Sequence, residues 1–487
     1  MLNSRHTISI YNLLKLLYFA AMIGVVAVFH NVGASSYVNS TSVILTLVLS
    51  VVSLFVINDS KKKDNPLLFV LAWWVLFFYV IRIISLNYTD YSVCLKRCGA
   101  GVDDVNNGLV LSILCVLTLW LVFRSIKTQR NKDKIDVRYK PGYVRRALII
   151  YWVTFCINVV AEYGLPMSGL ASIIRNFILN IFDLLYLLLT YTILIWDRIE
   201  KKEKLYMVLS MLAFIAFVTL SGSRSGFYSI FKMLLFVFLA LGYRNIKRIY
   251  IWGVVALIPV MFSFFIYSTF MRQMGMMESS LQEKVGLIEG AIDKTADLET
   301  KVVVSPVFDR IGFIDYTTEM MVSKEKFKSF INIGFEFKSI VDNALSPGFD
   351  LFDAPKISNM IDNSYNLSSS KVTSKTANSL EDYHSDELTA FGESYVLFGF
   401  IGGIIFILIA GIVFRNVWIR ADKKTNEQGL FQKAICLYLF EIFLSSYGYD
   451  WLVLNIICFL LTLIIFNASV FGRAGRVKNR KELLVNA

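Results

Sequence analysis

Long apolar runs alternate with short polar connections along most of the chain, and this rhythm breaks only once, between residues 271 and 390. Twelve runs approach the ~20 residues that a helix needs to cross a hydrocarbon core. They fall at 8–29, 39–58, 66–86, 107–126, 147–165, 178–197, 205–221, 226–243, 249–270, 392–414, 428–447 and 451–469. The pattern predicts an all-α polytopic membrane protein of about twelve transmembrane helices. Spans one to nine occupy 1–270, a large loop 271–391, spans ten to twelve 392–469, and a basic tail 470–487. The first run is too long for a cleaved signal peptide and no small-residue cleavage site follows it.

Composition agrees with that class: 56% of the 487 residues are hydrophobic and 18% charged. The basic residues orient the chain. Lys61–Lys63, the segment from Arg124 to Arg146, Arg198–Lys204, Arg244–Arg248, Arg415–Lys424 and Arg473–Lys481 all follow even-numbered spans. The positive-inside rule then places both termini in the cytoplasm. The net charge of +12 reads as a topology signal and gives no reason to expect nucleic-acid binding.

The long loop therefore falls outside. It holds 19 acidic and 12 basic residues, a net acidic balance opposite to that of the whole chain. Structureless loops of this length are uncommon and usually functional. Leu281, Val285, Ile288 and Ile292 recur at helical spacing. Ser305 and Pro306 fit an N-cap and first turn, predicting a helix through Asp309, Arg310 and Asp315. The Ser-, Thr-, Asn- and Lys-rich stretch 366–379 reads as irregular. Cys94 and Cys98, in an outward connection, are spaced so that a disulfide is permitted and not required. The other four cysteines sit in spans as small apolar residues.

Arg224, in the stretch TLSGSRSGF from Thr219 to Phe227, lies at the mouth of a span. An arginine at a membrane boundary needs a partner or a function, and the neighbouring glycine and Ser223 leave room for a bulky anion. Three short motifs occur in order: GSRSGF, APKIS late in the long loop, and HSDELTAFGESYVLFGFIGG leading into span ten. In these the chain resembles Wzy-type O-antigen or capsule polysaccharide polymerases, relatives of the O-antigen ligases. The resemblance covers roughly 205–415. It implies a glycosyltransferase C-like enzyme of the bacterial inner membrane with its active site facing the periplasm. Such an enzyme moves a growing chain from undecaprenyl pyrophosphate onto a lipid-linked repeat unit, uses no cofactor, and works beside the bilayer with a chain-length regulator as a candidate partner.

The residues themselves suit that chemistry. A departing lipid pyrophosphate is stabilised by fixed cations, and Arg224, Arg272 and Arg310 supply guanidinium groups that bind phosphate oxygens in pairs. Each also has a plainer role, as a boundary anchor or, for Arg310, as a partner of nearby acids. The acceptor hydroxyl needs a base, and His384, the long loop's histidine, titrates near neutrality; the ligase branch implies such a role for a loop histidine. Glu393, at the start of span ten, competes with it, either as base or in an ion pair with Arg224 or another arginine. Ser223, Asp315, Tyr395 and Asp450 are weaker substrate-binding candidates. Glu162, Asp183 and Glu441 are intramembrane acids that line a cavity or pair within the bundle. Tyr447, Tyr449 and Trp451 stack on sugars or form an interfacial belt. With no P-loop, no GxGxxG in context and no HExxH, cytoplasmic nucleotide chemistry is unsupported, and two cysteines alone are weak evidence for a metal. An O-antigen ligase and a lipid-linked sugar transporter or flippase are the competing readings. Unequal halves and only seven prolines weigh against the transporter.

Overall fold

The computed structural model describes residues 7–29, 35–126, 142–163, 170–171, 173–174, 181–220, 224–242, 245–247, 312–345, 351–366, 388–424, 427–445 and 448–466. Seven helical segments among them are long and apolar enough to cross a membrane: Ile10–Val28, Ser40–Lys63, Pro66–Thr89, Val102–Phe123, Tyr143–Ala161, Ala390–Asp422 and Tyr449–Phe466. The chain is thus a mostly helical membrane protein. The runs at 178–197, 205–221, 226–243 and 428–447 are also helical, as Ile181–Leu194, Lys201–Leu220, Arg224–Ala240 and Glu427–Leu444; these four are shorter, or less apolar, than the seven. The run at 249–270 lies outside the described residues. One exception to the all-helical expectation is a three-residue antiparallel ladder of β1 (Thr7–Ser9) with β2 (Asn245–Lys247).

Helices α1 (Ile10–Phe29) and α2 (Ser40–Lys63) form an antiparallel pair. Tyr11 at the start of α1 donates to Asp64 just past the end of α2 at 3.2 Å, and Lys61 reaches Asn12 at 3.1 Å. A capping box opens α2, with Ser42 N donating to Asn39 Oδ1 at 2.9 Å and Asn39 N to Ser42 Oγ at 3.2 Å. Lys61–Lys63 close it, where cations suit the helix dipole. Asn65 then caps α3 (Pro66–Val75) with proline in the first turn. A π-turn at Leu76–Val80 carries α3 into α4 (Ile81–Thr89). Short α5 (Val93–Cys98) and long α6 (Val102–Phe123) follow, then α7 (Tyr143–Tyr163), α8 (Ile181–Leu194), α9 (Lys201–Leu220) and α10 (Arg224–Ala240).

The long loop does not stay outside the bundle. Its helix α11 (Phe313–Val322) packs between α6 and α15 (Ala390–Asp422), touching α5 as well. Every residue from Phe313 to Met320 is buried. Glycines make the fit: a Cβ on Gly108 of α6 would lie 2.6 Å from Thr318 Oγ1, and one on Gly392 of α15 would lie 2.7 Å from Met320 Cγ. The Phe313 ring stacks on Phe78 with centroids 4.2 Å apart and tilts against Trp74 at 5.6 Å. Asp315 accepts from Arg82 Nη2 at 2.5 Å and from Ser92 Oγ at 2.6 Å, with both ionic side chains wholly buried. Glu319 receives a two-pronged contact from Arg97, at 2.6 and 2.8 Å. The expected helix from Ser305 through Asp315 needs correction. Gly312 is non-helical and serves as N-cap of a helix that starts at Phe313, because a glycine offers a helix little and a cap position suits it.

Span ten also departs from the simple reading. Helix α15 breaks at Gly399, whose backbone (φ 75°, ψ −174°) lies in a region that only glycine occupies readily. Beyond the break the chain folds back, so that a Cβ on Gly403 would sit 3.0 Å from Ser394 O. The leg 390–398 is therefore a short helix set against the longer leg 400–422. Thr389, its N-cap, has φ 60°, a strained value for a β-branched residue.

Three loop elements cover this broken helix: α12 (Lys324–Phe327), α13 (Ile333–Leu345) and α14 (Ile357–Asn366). A second small core of Met320, Phe327, Phe330, Ile331, Ile357, Ile361, Leu388 and Val396 binds them to α15, separate from the main core of the bundle. Helices α16 (Glu427–Leu444) and α17 (Tyr449–Phe466) complete the fold, with α13 packed on α17. Cys94 and Cys98 are both free thiols, and burial pushes the Cys98 thiol up to about 11 with help from the charge of Glu319.

Candidate functional site

The first turn of α15, the first turn of α17, α13 and the segment 354–358 meet at one end of the bundle. Two of the three motifs in the family resemblance are brought together here, APKIS and the glutamate of AFGES. Asp342 on α13 accepts from Leu351 N (2.9 Å), Phe352 N (3.1 Å) and Ala354 N (2.7 Å), which fixes the approach to APKIS. Ser339, one turn earlier, donates to Asp450 Oδ2 at 2.6 Å and lies 3.0 Å from Pro355 O. Asp450 also accepts from Ile357 N at 3.4 Å and Trp451 N at 2.7 Å. Lys356 sits over the Trp451 ring, 4.4 Å from its centroid.

Glu393 lies inside this joint, fully buried. Its Oε1 accepts from Tyr449 N at 2.9 Å, and Tyr449 Oη donates to Ala390 O at 2.8 Å, so α17 holds the short leg of α15 at two points. Glu336 of α13 is within hydrogen-bonding reach of Glu393. Each glutamate keeps one oxygen with no donor, Glu336 Oε1 and Glu393 Oε2. Two carboxylates cannot bond to each other, but a single proton between them supplies the missing donor. Glu336, Glu393 and Asp450 thus form a buried acidic group, in which burial and the neighbouring carboxylate favour the protonated form of Glu336. A carboxyl pair of this kind can take or give a proton during a reaction.

Burial, and next the charge of Asp450, push the Glu336 carboxyl up to about 8, partly offset by its hydrogen bond with Glu393. An undocked glutamate loses its proton near pH ~4.3, whereas docked Glu336 holds it to about 8. The contribution of Glu336 to the docking of α13 is therefore fully present below the undocked value, weakens as pH rises, and is lost as pH passes through the docked one. Limited proteolysis of the full-length protein in nanodiscs between pH 5 and 9 should show cleavage near α13 increasing with pH. Glu336→Gln should flatten that profile, and an equally steep profile in the variant would remove Glu336 as its cause.

Most of the remaining sequence candidates fall elsewhere. Asp315 is held by Arg82 and Ser92 beneath α11. Tyr395 carries Lys324 over its ring at 4.8 Å. Tyr449 is packed in the core against Phe406 and Phe443, a placement unsuited to an interfacial belt. Glu441 pairs with Lys232 at 2.8 Å, and Asp183 is buried with Oδ2 lacking a donor. Glu393 meets Tyr449 and Glu336; the arginine pairing expected as one alternative is not seen among the described residues. Arg224 begins α10, but its side chain, like that of Glu162, and the whole of Ser223, Arg272, Arg310, His384 and Tyr447 lie outside the described residues. So do the apolar face 281–292 and the stretch 367–379. Among the described residues no group of three or more His, Cys, Asp or Glu side chains is arranged to hold a metal.

Glu336, Ser339 and Asp342 went unnoticed in the sequence, although their spacing of three puts them on one helix face. Arg82 likewise went unnoticed, although a lone charge inside an apolar run marks it. No family model, curated protein or solved structure matches the chain.

Proposed function

We propose that the chain is a polysaccharide polymerase that transfers a growing glycan from undecaprenyl pyrophosphate to a lipid-linked repeat unit at the outer face of the bacterial inner membrane. In this reading it has twelve spans, cytoplasmic termini and a glycosyltransferase C-like arrangement. The observation that carries the reading is the convergence of Glu336, Glu393 and Asp450 where the long loop docks on the broken start of α15. Glycosyl transfer to a hydroxyl needs a proton acceptor, and acids held in a dry joint between loop and membrane helices suit that need. Arg224, Arg272 and Arg310 clamp the pyrophosphate as its charge develops, and His384 or Glu393 takes the proton from the acceptor sugar.

The test is an assay in proteoliposomes supplied with purified lipid-linked repeat units, reading polymer length on gels. Arg224→Ala and His384→Ala, each shown to insert and express normally, are expected to make little or no polymer. Full-length polymer from Arg224→Ala would sink the phosphate clamp. Normal polymer from His384→Ala would leave the proton to Glu393.

A further inference from the structure

Helix α13 is built inside out. Its buried positions, Glu336, Ser339 and Asp342, are polar, while Ile333 and Phe337 on the other side are 69% and 62% exposed. A helix at a water-facing surface shows the reverse pattern, with apolar residues inward and polar residues outward. The loop that follows adds to the bare apolar surface with Leu351, 64% exposed. Exposed apolar groups gathered on one face of a helix mark a contact surface.

We propose that α13 is an interfacial helix that seats Ile333 and Phe337 in the lipid bilayer beside the spans. Three observations select lipid as the occupant. First, Ser339 bonds to Asp450 in the first turn of α17, so α13 lies at the level where a membrane-spanning helix begins. Second, α17 exposes Val453, Ile457, Leu460 and Ile464 at intervals of four, three and four residues, an unbroken outward apolar stripe. The apolar side of α13 adjoins a helix that already faces lipid. Third, Lys338 beside Phe337 and Lys326 on α12 are exposed, as headgroup phosphates require of an amphipathic helix at the interface. The polar face turned inward carries the acidic group, so lipid contact holds Glu336 against Glu393. The assignment stands independently of the polymerase reading, because it rests on the polarity and position of α13 alone.

The full-length protein with Cys98→Ser and Cys156→Ser, which removes its less buried thiols, is labelled with a bimane at Phe337→Cys. A second sample carries the label at Ile333→Cys, in case either substitution disturbs folding, and Ile464→Cys serves as the lipid-facing reference. Each is reconstituted in vesicles of phosphatidylcholine and phosphatidylglycerol with and without brominated acyl chains. Both α13 labels are expected to lose emission to bromine to an extent comparable with the Ile464→Cys reference, as a helix seated at the acyl boundary would, and to resist aqueous iodide. Quenching by iodide with none by bromine would place the face in water. Resistance to both quenchers would mean that protein covers it, a second copy included. Either result overturns the proposal, whatever the polymer assay gives.

Discussion

Arg82→Ala is expected to be the most destabilising single substitution in the chain, at about 3–5 kcal/mol, the usual cost of removing one partner from a buried ion pair. The guanidinium lies at 0% exposure against Asp315, and it also donates to Tyr91 O at 3.0 Å and lies 3.3 Å from Ser85 Oγ. Its loss strands the Asp315 carboxylate in the bundle with Ser92 as its remaining donor. Since α11 carries Asp315, the damage falls on the helix that joins the loop to α6 and α15. Unfolding in mixed micelles by a denaturing detergent should show the loss, together with faster cleavage of the loop. Arg82→Met combined with Asp315→Leu is expected to recover much of the stability, because an apolar pair of similar volume avoids the uncompensated charge. A single-variant loss under about 1 kcal/mol, the range of exposed pairs, would refute the assignment of this pair as the anchor of α11.

Arg82 shows what periodicity conveys and what it leaves out. The apolar run 66–86 identified a spanning helix, and Pro66–Thr89 is one. Arg82 inside that run needs a partner, and nothing local identifies it, since Asp315 lies 233 positions along the chain. The loop was legible as helical in part, but not as a helix buried on all sides. Asp315 stood only as a weaker substrate-binding candidate, and Thr317, Thr318 and Glu319 drew no notice, because their partners come from α3–α6 and α15. Helix α13 was missed for a related reason. Sequence periodicity marks two faces but does not say which one meets protein, and membrane and loop reverse the usual answer. Gly399 is hidden in a different way: its run of apolar neighbours predicts one continuous span, and only the backbone angle reveals two legs. Glu393 and Asp450, by contrast, were found by the rule that acids near a hydrocarbon core need a reason. Their common neighbour Glu336 was not, since it lies in a stretch where an acid costs nothing in sequence terms.

Glu393→Gln is expected to lower polymer formation by about 100- to 10,000-fold, the usual contribution of a positioned acid or base, while leaving the protein folded. Glutamine presents the donor that a protonated carboxyl would offer Glu336, and its carbonyl still accepts from Tyr449 N. It cannot take up a proton. Glu393→Ala is a different experiment, because it strips Tyr449 N of its acceptor and opens a cavity between α15 and α17. That variant should lose stability along with activity, so its inactivity alone would say nothing about chemistry. Glu336→Gln separates the two glutamates: if Glu393 alone exchanges the proton, the glutamine at 336 keeps substantial activity and removes only the pH dependence of docking. Burial adds a condition, since Glu393 is covered by α13 and an acceptor sugar reaches it only when that helix lifts. Polymer of normal length from a folded Glu393→Gln would reduce the acidic group to a joint that fastens the loop, and the proton would then belong to His384.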